Sequence, residues 1–191
     1  MDRLDEIKVS NIFRRCRSFL DPSAWEHFVQ TFLHSYGAEV FLGKLAEQAS
    51  GFPFPPFLPD LARLEWSLHL AGEAQIPNCS EVSCFTVNPS LEVLQLAWRN
   101  LYEMAVRRYE GSVVQPEPGD EMVLVWRHPR KGEVLAHAAS SEDLLALKLV
   151  VDRIDRKTAA AETGAPVYLI DAAMDLAVRK GLLLGPRPAI R

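Results

Sequence analysis

The sequence MVLVWRHPRKGEVLAH, residues 122–137, decides the fold class of this chain. It opens with an apolar run that is typical of a buried strand, and residues 128–132 contain a proline and a glycine that predict a turn. Residues 133–137 then predict a returning strand, so the whole stretch predicts a β-hairpin. Because helical periodicity dominates the rest of the chain, we expect a mostly α, α+β fold.

Three helices are predicted after the hairpin. Ser140 or Ser141 is a suitable N-cap for the first helix, and residues 155–162 and 166–180 predict the second and third. A turn that contains glycine separates the last two, and residues 182–184 predict a short apolar strand behind them. Helix, turn, helix and strand form the outline of a winged helix-turn-helix, so we expect a small winged-helix-like domain with a β-hairpin.

The charges of the helix predicted over residues 166–180 favour contact with protein over contact with DNA. A helix that reads DNA carries basic side chains that meet phosphates and base edges. Here Asp171 and Asp175 lie within the helix, and Arg179 and Lys180 come only at its end. The net charge of -4 also argues against a general affinity for nucleic acid. A DNA-binding transcriptional regulator is the alternative function.

Helical periodicity dominates the residues before position 115. Asp21 and Pro22 predict the N-cap and the first residue of one helix, where the missing N–H of proline costs nothing. Residues 94–98 alternate apolar and polar side chains and fit a short strand, although a helical spacing also fits; we favour the strand. The other helices are predicted over residues 4–16, 38–49, 58–74 and 100–109.

The chain divides at QPEPGD, residues 115–120. Prolines and a glycine placed so close together are incompatible with a helix or a central strand, so this stretch predicts a linker or a tight connection. We therefore expect a helical domain over residues 1–114 and a winged-helix-like domain over residues 115–191.

A rigid apolar loop precedes the helix predicted over residues 58–74. The loop reads GFPFPPF and mixes phenylalanines with prolines. Its aromatic side chains either cap the helical core or form a docking surface, because a rigid apolar loop loses little entropy on binding. Phe54, Phe57 and Arg63 are the candidate anchors for a partner, with Glu65 beside them. The alternative is that Arg63 and Glu65 make intramolecular contacts.

No residue pattern indicates catalysis or a bound metal. The sequence has no phosphate-binding glycine loop, and no nucleophile can be matched with a histidine and an aspartate. Cys79 and Cys84 could supply two zinc ligands, but no second pair of cysteines or histidines lies near them in sequence. His27 and His34 share one helical face and are more typical of partly buried or surface histidines. We therefore expect a protein that has no cofactor and is not itself an enzyme.

The start of the chain predicts a cytoplasmic protein. MDRLDEIKVSNIF is charged throughout and lacks the apolar segment of a signal peptide. No apolar run approaches the roughly 18 residues that are needed to cross a bilayer. The cysteines number 3, an odd count, and we expect them to be thiols in a reducing compartment.

Four short stretches carry a resemblance to a known family. In these stretches the chain resembles a bacterial family catalogued as a DNA-binding domain, whose members are known as partner proteins of multinuclear non-heme iron oxidases. Those enzymes modify ribosomally made peptides in RiPP biosynthesis. The resemblance covers most of residues 53–70 and 116–185. The stretches are PDLARLEW at residues 59–66, NPSL at 88–91, LVWR at 124–127 and SEDLLAL at 141–147.

The resemblance implies an accessory role. Members of the family combine a helical N-terminal domain with a C-terminal domain similar to winged peptide-recognition elements, in which a leader segment adds a strand to a sheet edge. For this chain it implies a heterodimer with a peptide-modifying metalloenzyme, an iron oxidase or less commonly a radical-SAM enzyme, and recruitment of the precursor peptide. The peptide-binding residues would then be Val123, Val125 and Arg127 on the hairpin and Tyr168 on the long helix, with Phe54, Phe57, Arg63 and Glu65 facing the enzyme.

Overall fold

The structure is a computed structural model that describes residues 3–35, 37–48, 54–76, 84–106 and 115–185. Helices predominate in these residues beside two small sheets, so the fold class is α+β as expected. The helices are α1 (Arg3–Ile12), α2 (Arg14–Ser18), α3 (Pro22–Leu33), α4 (Ala38–Gln48), α5 (Leu58–Glu73), α6 (Leu101–Val106), α7 (Ser141–Val151), α8 (Arg156–Thr163) and α9 (Val167–Lys180). The strands are β1 (Thr86–Val87), β2 (Glu92–Arg99), β3 (Glu117–Arg127), β4 (Val134–Ala138) and β5 (Leu183–Leu184).

The chain folds into two compact units, and each is built from two segments. Unit 1 comprises Met1–His69 and Leu94–Met122, and unit 2 comprises Leu70–Val93 and Val123–Arg191. The boundary predicted between residues 114 and 115 cuts the chain once, so it does not coincide with this division. Helix α5 and strands β2 and β3 contribute residues to both units.

The predicted hairpin is confirmed. Strands β3 and β4 pair antiparallel, from Val123 opposite Ala138 to Arg127 opposite Val134. The strand favoured for residues 94–98 is also confirmed, as the greater part of β2. One sheet has the order β2-β3-β4, so β3 is its central strand, and β1 pairs antiparallel with β5 in the other sheet.

The linker predicted over residues 115–120 is wrong for its larger part, because β3 begins at Glu117. Pro118 lies within the strand, and the extent of pairing explains why it is tolerated. Strand β4 pairs only with residues 123–127 of β3. Proline has no N–H to donate, and at the start of β3 no β4 strand requires one. Pro118 therefore lies in the part of β3 that has no β4 neighbour.

The helices of unit 2 begin and end where local signals predict. Ser140 is the N-cap of α7: its Oγ accepts the N–H of Asp143, and the Asp143 carboxylate accepts the N–H of Ser140 in return. Gly181 ends α9 in the left-handed conformation, with a φ of 80°. The two helices pack with β3 around one apolar core. It includes Leu124, Trp126, Ala146, Leu147, Leu149, Ile170, Met174 and Ala177.

Aromatic side chains form the centre of unit 1. Phe13 is fully buried, and its ring lies 5.2 Å from that of Phe28 and 5.4 Å from that of Phe41. Phe13 also separates α1 from α2, so the single helix predicted over residues 4–16 is two helices. Asp21 caps α3 as predicted, since its Oδ1 accepts a backbone N–H of the first turn at 2.8 Å. Within the described residues, no helix has the length and the apolar character that a membrane span requires.

Asn88 joins three separate parts of unit 2 through one buried side chain, which is 1% exposed. Its Nδ2 donates to the carbonyl oxygens of Arg127 at 2.9 Å and Gly181 at 2.7 Å. Its Oδ1 accepts the backbone N–H of Ser90 at 3.0 Å and the Ser90 hydroxyl at 2.7 Å. The turn between β1 and β2, the end of β3 and the end of α9 are therefore held at fixed positions.

Replacing Asn88 should be costly. We expect Asn88→Ala to lower the free energy of unfolding by about 2–4 kcal/mol, because two carbonyl oxygens and the groups of Ser90 lose their partners in a buried place. Asn11→Ala, at an exposed position, is the matched control and should change stability little. Urea unfolding followed by circular dichroism measures both. Equal losses in the two variants would show that the Asn88 bonds do not hold unit 2 together.

Candidate functional site

Strand β4 is an edge strand of its sheet, and the backbone groups of three of its 5 residues point outward. At the hairpin turn the N–H of His128 donates to the carbonyl oxygen of Glu133 at 2.7 Å. Hydrogen-bonded and non-hydrogen-bonded pairs alternate along an antiparallel ladder, so the N–H and C=O groups of Val134, Ala136 and Ala138 point away from β3. Among the described residues no hydrogen bond reaches these outward groups. This edge can accept another strand.

An apolar groove is lined by α7 and α9 and begins three residues after β4 ends. Its volume is about 450 Å³, within the range of protein sites that hold small ligands or side chains. Leu145, Leu169 and Leu176 supply much of its apolar lining, and Glu142 and Arg179 add one charge of each sign. The groove therefore suits apolar side chains more than a highly charged ligand.

The first turn of α9 exposes three consecutive large side chains. Val167 is 39% exposed, Tyr168 is 68% exposed and Leu169 is 50% exposed. Leu169 also lines the groove, so this patch is continuous with it. Exposed apolar patches of this kind mark interaction surfaces in folded proteins.

The residues predicted to bind peptide fall into different environments. Tyr168 is exposed, whereas Val123 and Val125 are fully buried on the central strand of the sheet. Since β3 lies between β2 and β4, an added strand cannot reach its backbone there, and the unpaired edge lies one strand further on. The unbroken apolar run over residues 123–126 is the signal that indicates this, because such runs are typical of strands covered on both faces.

Arg127 makes intramolecular hydrogen bonds. Its Nη1 donates to the carbonyl oxygens of Gly72 at 3.2 Å and Ala74 at 3.1 Å, and its Nε donates to that of Gly132 at 3.2 Å. The last carbonyl groups of a helix have no N–H partner within the helix. At the end of α5 the guanidinium group of Arg127 donates to such carbonyl oxygens. Arg127 thus links the end of α5 to the hairpin turn, and a peptide would have to break these bonds to use it.

A buried carboxylate lies beside β4. Asp143 is 1% exposed; it accepts bonds from Nζ of Lys180 at 2.7 Å and 2.9 Å and lies 3.0 Å from Nε2 of His137. The His137 ring, on β4, packs edge-on against Trp126, whose Nε1 donates to the carbonyl oxygen of Lys180. Burial acts to raise the pKa of Asp143, but the bonds from Lys180 and His137 outweigh it and hold that pKa below its ordinary value. The network fixes β4 to α7 and α9. No local sequence pattern predicts that Asp143 and Lys180 will meet.

Two of the residues predicted to face an enzyme are aromatic and belong to unit 1. Phe54 is buried at 6% exposure, and Phe57 is half-buried. The Phe57 ring lies 5.2 Å from Phe19 and 6.0 Å from Trp98, and Phe19 is 40% exposed. We call Phe19, Phe57 and Trp98 the aromatic row. Residues 51–53 of the predicted loop lie outside the described residues.

The other two residues predicted to face an enzyme, Arg63 and Glu65, make intramolecular contacts. Nη1 of Arg63 donates to the carbonyl oxygen of Gln95 at 3.2 Å. Glu65 is buried, and its carboxylate accepts the backbone N–H groups of Arg15 at 2.7 Å and Cys16 at 3.0 Å. Burial raises the pKa of Glu65 although these bonds oppose it, and burial together with the nearby Glu65 raises the pKa of the Cys16 thiol. These bonds anchor α5 within unit 1.

The histidines and cysteines considered as metal ligands are not brought together in the described residues. No group of three or more His, Cys, Asp or Glu side chains there could hold a metal ion. Nδ1 of His34 lies 2.7 Å from the carbonyl oxygen of Gln30, and the ring of His27 lies 6.2 Å from that of Phe54. Cys84 is exposed, and Cys79 lies outside the described residues.

Comparison with known proteins does not extend this description. No family model matches the chain, and no curated protein matches it.

The Asp143 network should make stability depend on acid pH. Because its folded pKa is lowered, Asp143 contributes stability that is present above its ordinary value of 3.8 and is lost as pH falls through the folded pKa. At pH 7 we expect Asp143→Asn to lower the free energy of unfolding by about 2–4 kcal/mol, since Lys180 loses its buried partner. The difference from wild type should shrink below pH 3.8.

Urea unfolding between pH 2.5 and pH 7 measures this dependence. The matched control is Asp152→Asn, which removes an exposed pair with Lys148 and should change stability little at any pH. A difference between Asp143→Asn and wild type that stays constant down to the lowest pH would contradict the assignment.

Proposed function

We propose that this chain is a non-catalytic accessory protein that binds the precursor peptide of a peptide-modifying metalloenzyme and presents the peptide to that enzyme. The observation that carries the proposal is the unpaired edge of β4, three residues before an apolar groove. In this proposal the hairpin and α7–α9 act as a winged-helix-like peptide-recognition domain. The protein works in the cytoplasm as a heterodimer with an iron oxidase, and a radical-SAM enzyme is the alternative partner.

Strand addition explains how one site could accept peptides of different sequence. The outward N–H and C=O groups of Val134, Ala136 and Ala138 would bond the peptide backbone, which makes little demand on sequence. Side chains of a strand alternate between its faces, so every second peptide side chain would lie on the face that carries Leu135 and His137. That face adjoins α7 and α9 through Leu135 and the Asp143 network, so apolar side chains spaced by two would reach the groove.

The charges on α9 support a peptide ligand over DNA. Asp171 forms an ion pair with Arg156 at 2.6 Å, and Asp175 is exposed on the same helix. Phosphate groups would be repelled by exposed carboxylates at this position. A peptide held by backbone bonds and apolar side chains is not subject to this penalty.

We expect Ala136→Pro to weaken peptide binding about tenfold or more, because proline removes an outward N–H and not a bond to β3. Leu169→Asp should weaken it similarly by placing a charge in the groove. The measurement is fluorescence anisotropy of a labelled precursor peptide, taken from the short reading frames that neighbour this gene.

Two control variants separate binding from folding. Ala136→Ser keeps the N–H at the same position, and Val151→Asp adds the same charge at an apolar site of unit 2 that is 65% exposed. Both should bind peptide like wild type. Normal peptide binding by Ala136→Pro and Leu169→Asp would place the site elsewhere, and a steeply salt-dependent shift of genomic DNA fragments would favour the transcriptional regulator.

The aromatic row is our proposed contact with the enzyme. Aromatic anchors carry much of the binding energy at the centre of stable interfaces, and Phe19 is the most exposed of the three rings. We expect Phe19→Ala/Phe57→Ala to reduce about tenfold the complex recovered after co-expression with the neighbouring metalloenzyme. Leu33→Ala/Val40→Ala, at exposed apolar positions of unit 1, is the matched control and should leave recovery unchanged. Unchanged recovery of the first variant, still folded by circular dichroism, would assign these rings to the core alone.

A further inference from the structure

Unit 1 contains a cleft of about 540 Å³ that the proposed function does not use. It is lined by residues of α1, α2, α5 and α6. Clefts of this size commonly hold small organic molecules. Its lining combines basic side chains and apolar side chains.

The cleft is lined by more basic side chains than carboxylates. Lys8, Arg14 and Arg15 all line it, and Glu65 supplies the carboxylate. That carboxylate is buried, accepts the backbone N–H groups of Arg15 and Cys16, and is attracted electrostatically to the charge of Arg15. Lys8 and Arg14 are exposed, and neither has an ion-pair partner among the residues whose side chains the structure describes. The cleft therefore carries an excess of positive charge, which favours an anion.

The apolar part of the lining restricts the kind of anion. Ile12, Leu68 and Val106 line the same cleft, and Val106 is 43% exposed. A bare inorganic ion would leave these side chains in contact with water. A ligand that buries them gains roughly 25 cal/mol for each Å² of apolar surface removed from water.

We infer that this cleft binds a small organic anion that joins a phosphate or carboxylate group to an apolar body. The anionic group is held by Lys8 and Arg14, and the apolar body contacts Ile12, Leu68 and Val106. His69, which also lines the cleft, adds a ring nitrogen that can donate to the anion. This site goes beyond the proposed function, since all of its residues belong to unit 1 and the peptide edge belongs to unit 2.

The test uses phenyl phosphate as the probe and the full chain as the protein. Isothermal titration should show saturable binding that weakens as salt is added. Lys8→Gln/Arg14→Gln should weaken binding at least tenfold, because both cations that hold the anionic group are lost. The matched control Lys44→Gln/Lys131→Gln removes the same charge outside the cleft and should bind within twofold of wild type. Circular dichroism and thermal unfolding establish that each variant is folded.

Two further measurements test the apolar half of the assignment. Inorganic phosphate should bind at least tenfold more weakly than phenyl phosphate, and Val106→Asp should weaken phenyl phosphate without altering the fold. Hexanoate, with a carboxylate in place of the phosphate, should compete with phenyl phosphate and so identify the shared chemistry of the site. Equal affinity in the two double variants, absence of saturation, or phosphate binding as tight as that of phenyl phosphate would each overturn the inference.

Discussion

The hydrogen bonds of Asn88 are the interaction on which the arrangement of unit 2 depends. The amide both donates and accepts, so one buried side chain can satisfy two carbonyl oxygens and two groups of Ser90 at once. Its partners lie 2, 39 and 93 residues away in sequence. An apolar side chain of the same size would leave those groups unpaired, and an aspartate would repel the carbonyl oxygens. This requirement explains why a small polar turn residue occupies one of the most buried positions of the unit.

Strand β4 shows how a sheet can keep an edge available. Unpaired edges are prone to pair with other chains, and proteins commonly shorten or cover them. Each residue of β4 is half-buried, so the faces of this strand are largely protected, while its outward backbone groups have no hydrogen-bond partner in the part of the chain that the structure describes. The Asp143 network then fixes the strand against α7 and α9, which lowers the entropy that an added strand would lose on docking.

Local signals in the sequence were sufficient for much of the fold. The N-caps Asp21 and Ser140, the glycine at residue 181 and the hairpin around residues 128–132 depend on neighbours within a few residues, so a reader of the sequence can recognise them. The site was harder to predict, because it depends on which strand lies at the sheet edge. The order of the strands is set by contacts between distant segments. As a result the edge strand is β4, whereas the predicted peptide-binding residues lie on β3.

Glu65 and Pro118 show the same limit in unit 1. The backbone N–H groups that donate to the Glu65 carboxylate lie some fifty residues earlier in the chain, and the spacing of residues within α5 does not predict them. Pro118 belongs to a strand because β4 ends before reaching it, although its neighbours read as a linker. In both cases the position of the residue depends on segments that are distant in sequence, so its sequence neighbours do not predict it.

The interleaved construction of the two units bears on the order in which the protein can fold during synthesis. A domain made from one continuous segment can fold as soon as that segment leaves the ribosome. Unit 1 is incomplete until Leu94–Met122 has left the ribosome. By then the Leu70–Val93 segment of unit 2 has also left the ribosome, but Val123–Arg191, the rest of unit 2, has not. At the usual rates of about 5–20 residues per second, the first 69 residues therefore spend seconds without their final partners. Chaperone binding in that interval, detected by crosslinking to stalled nascent chains, would be concentrated on the aromatic core of α1–α4.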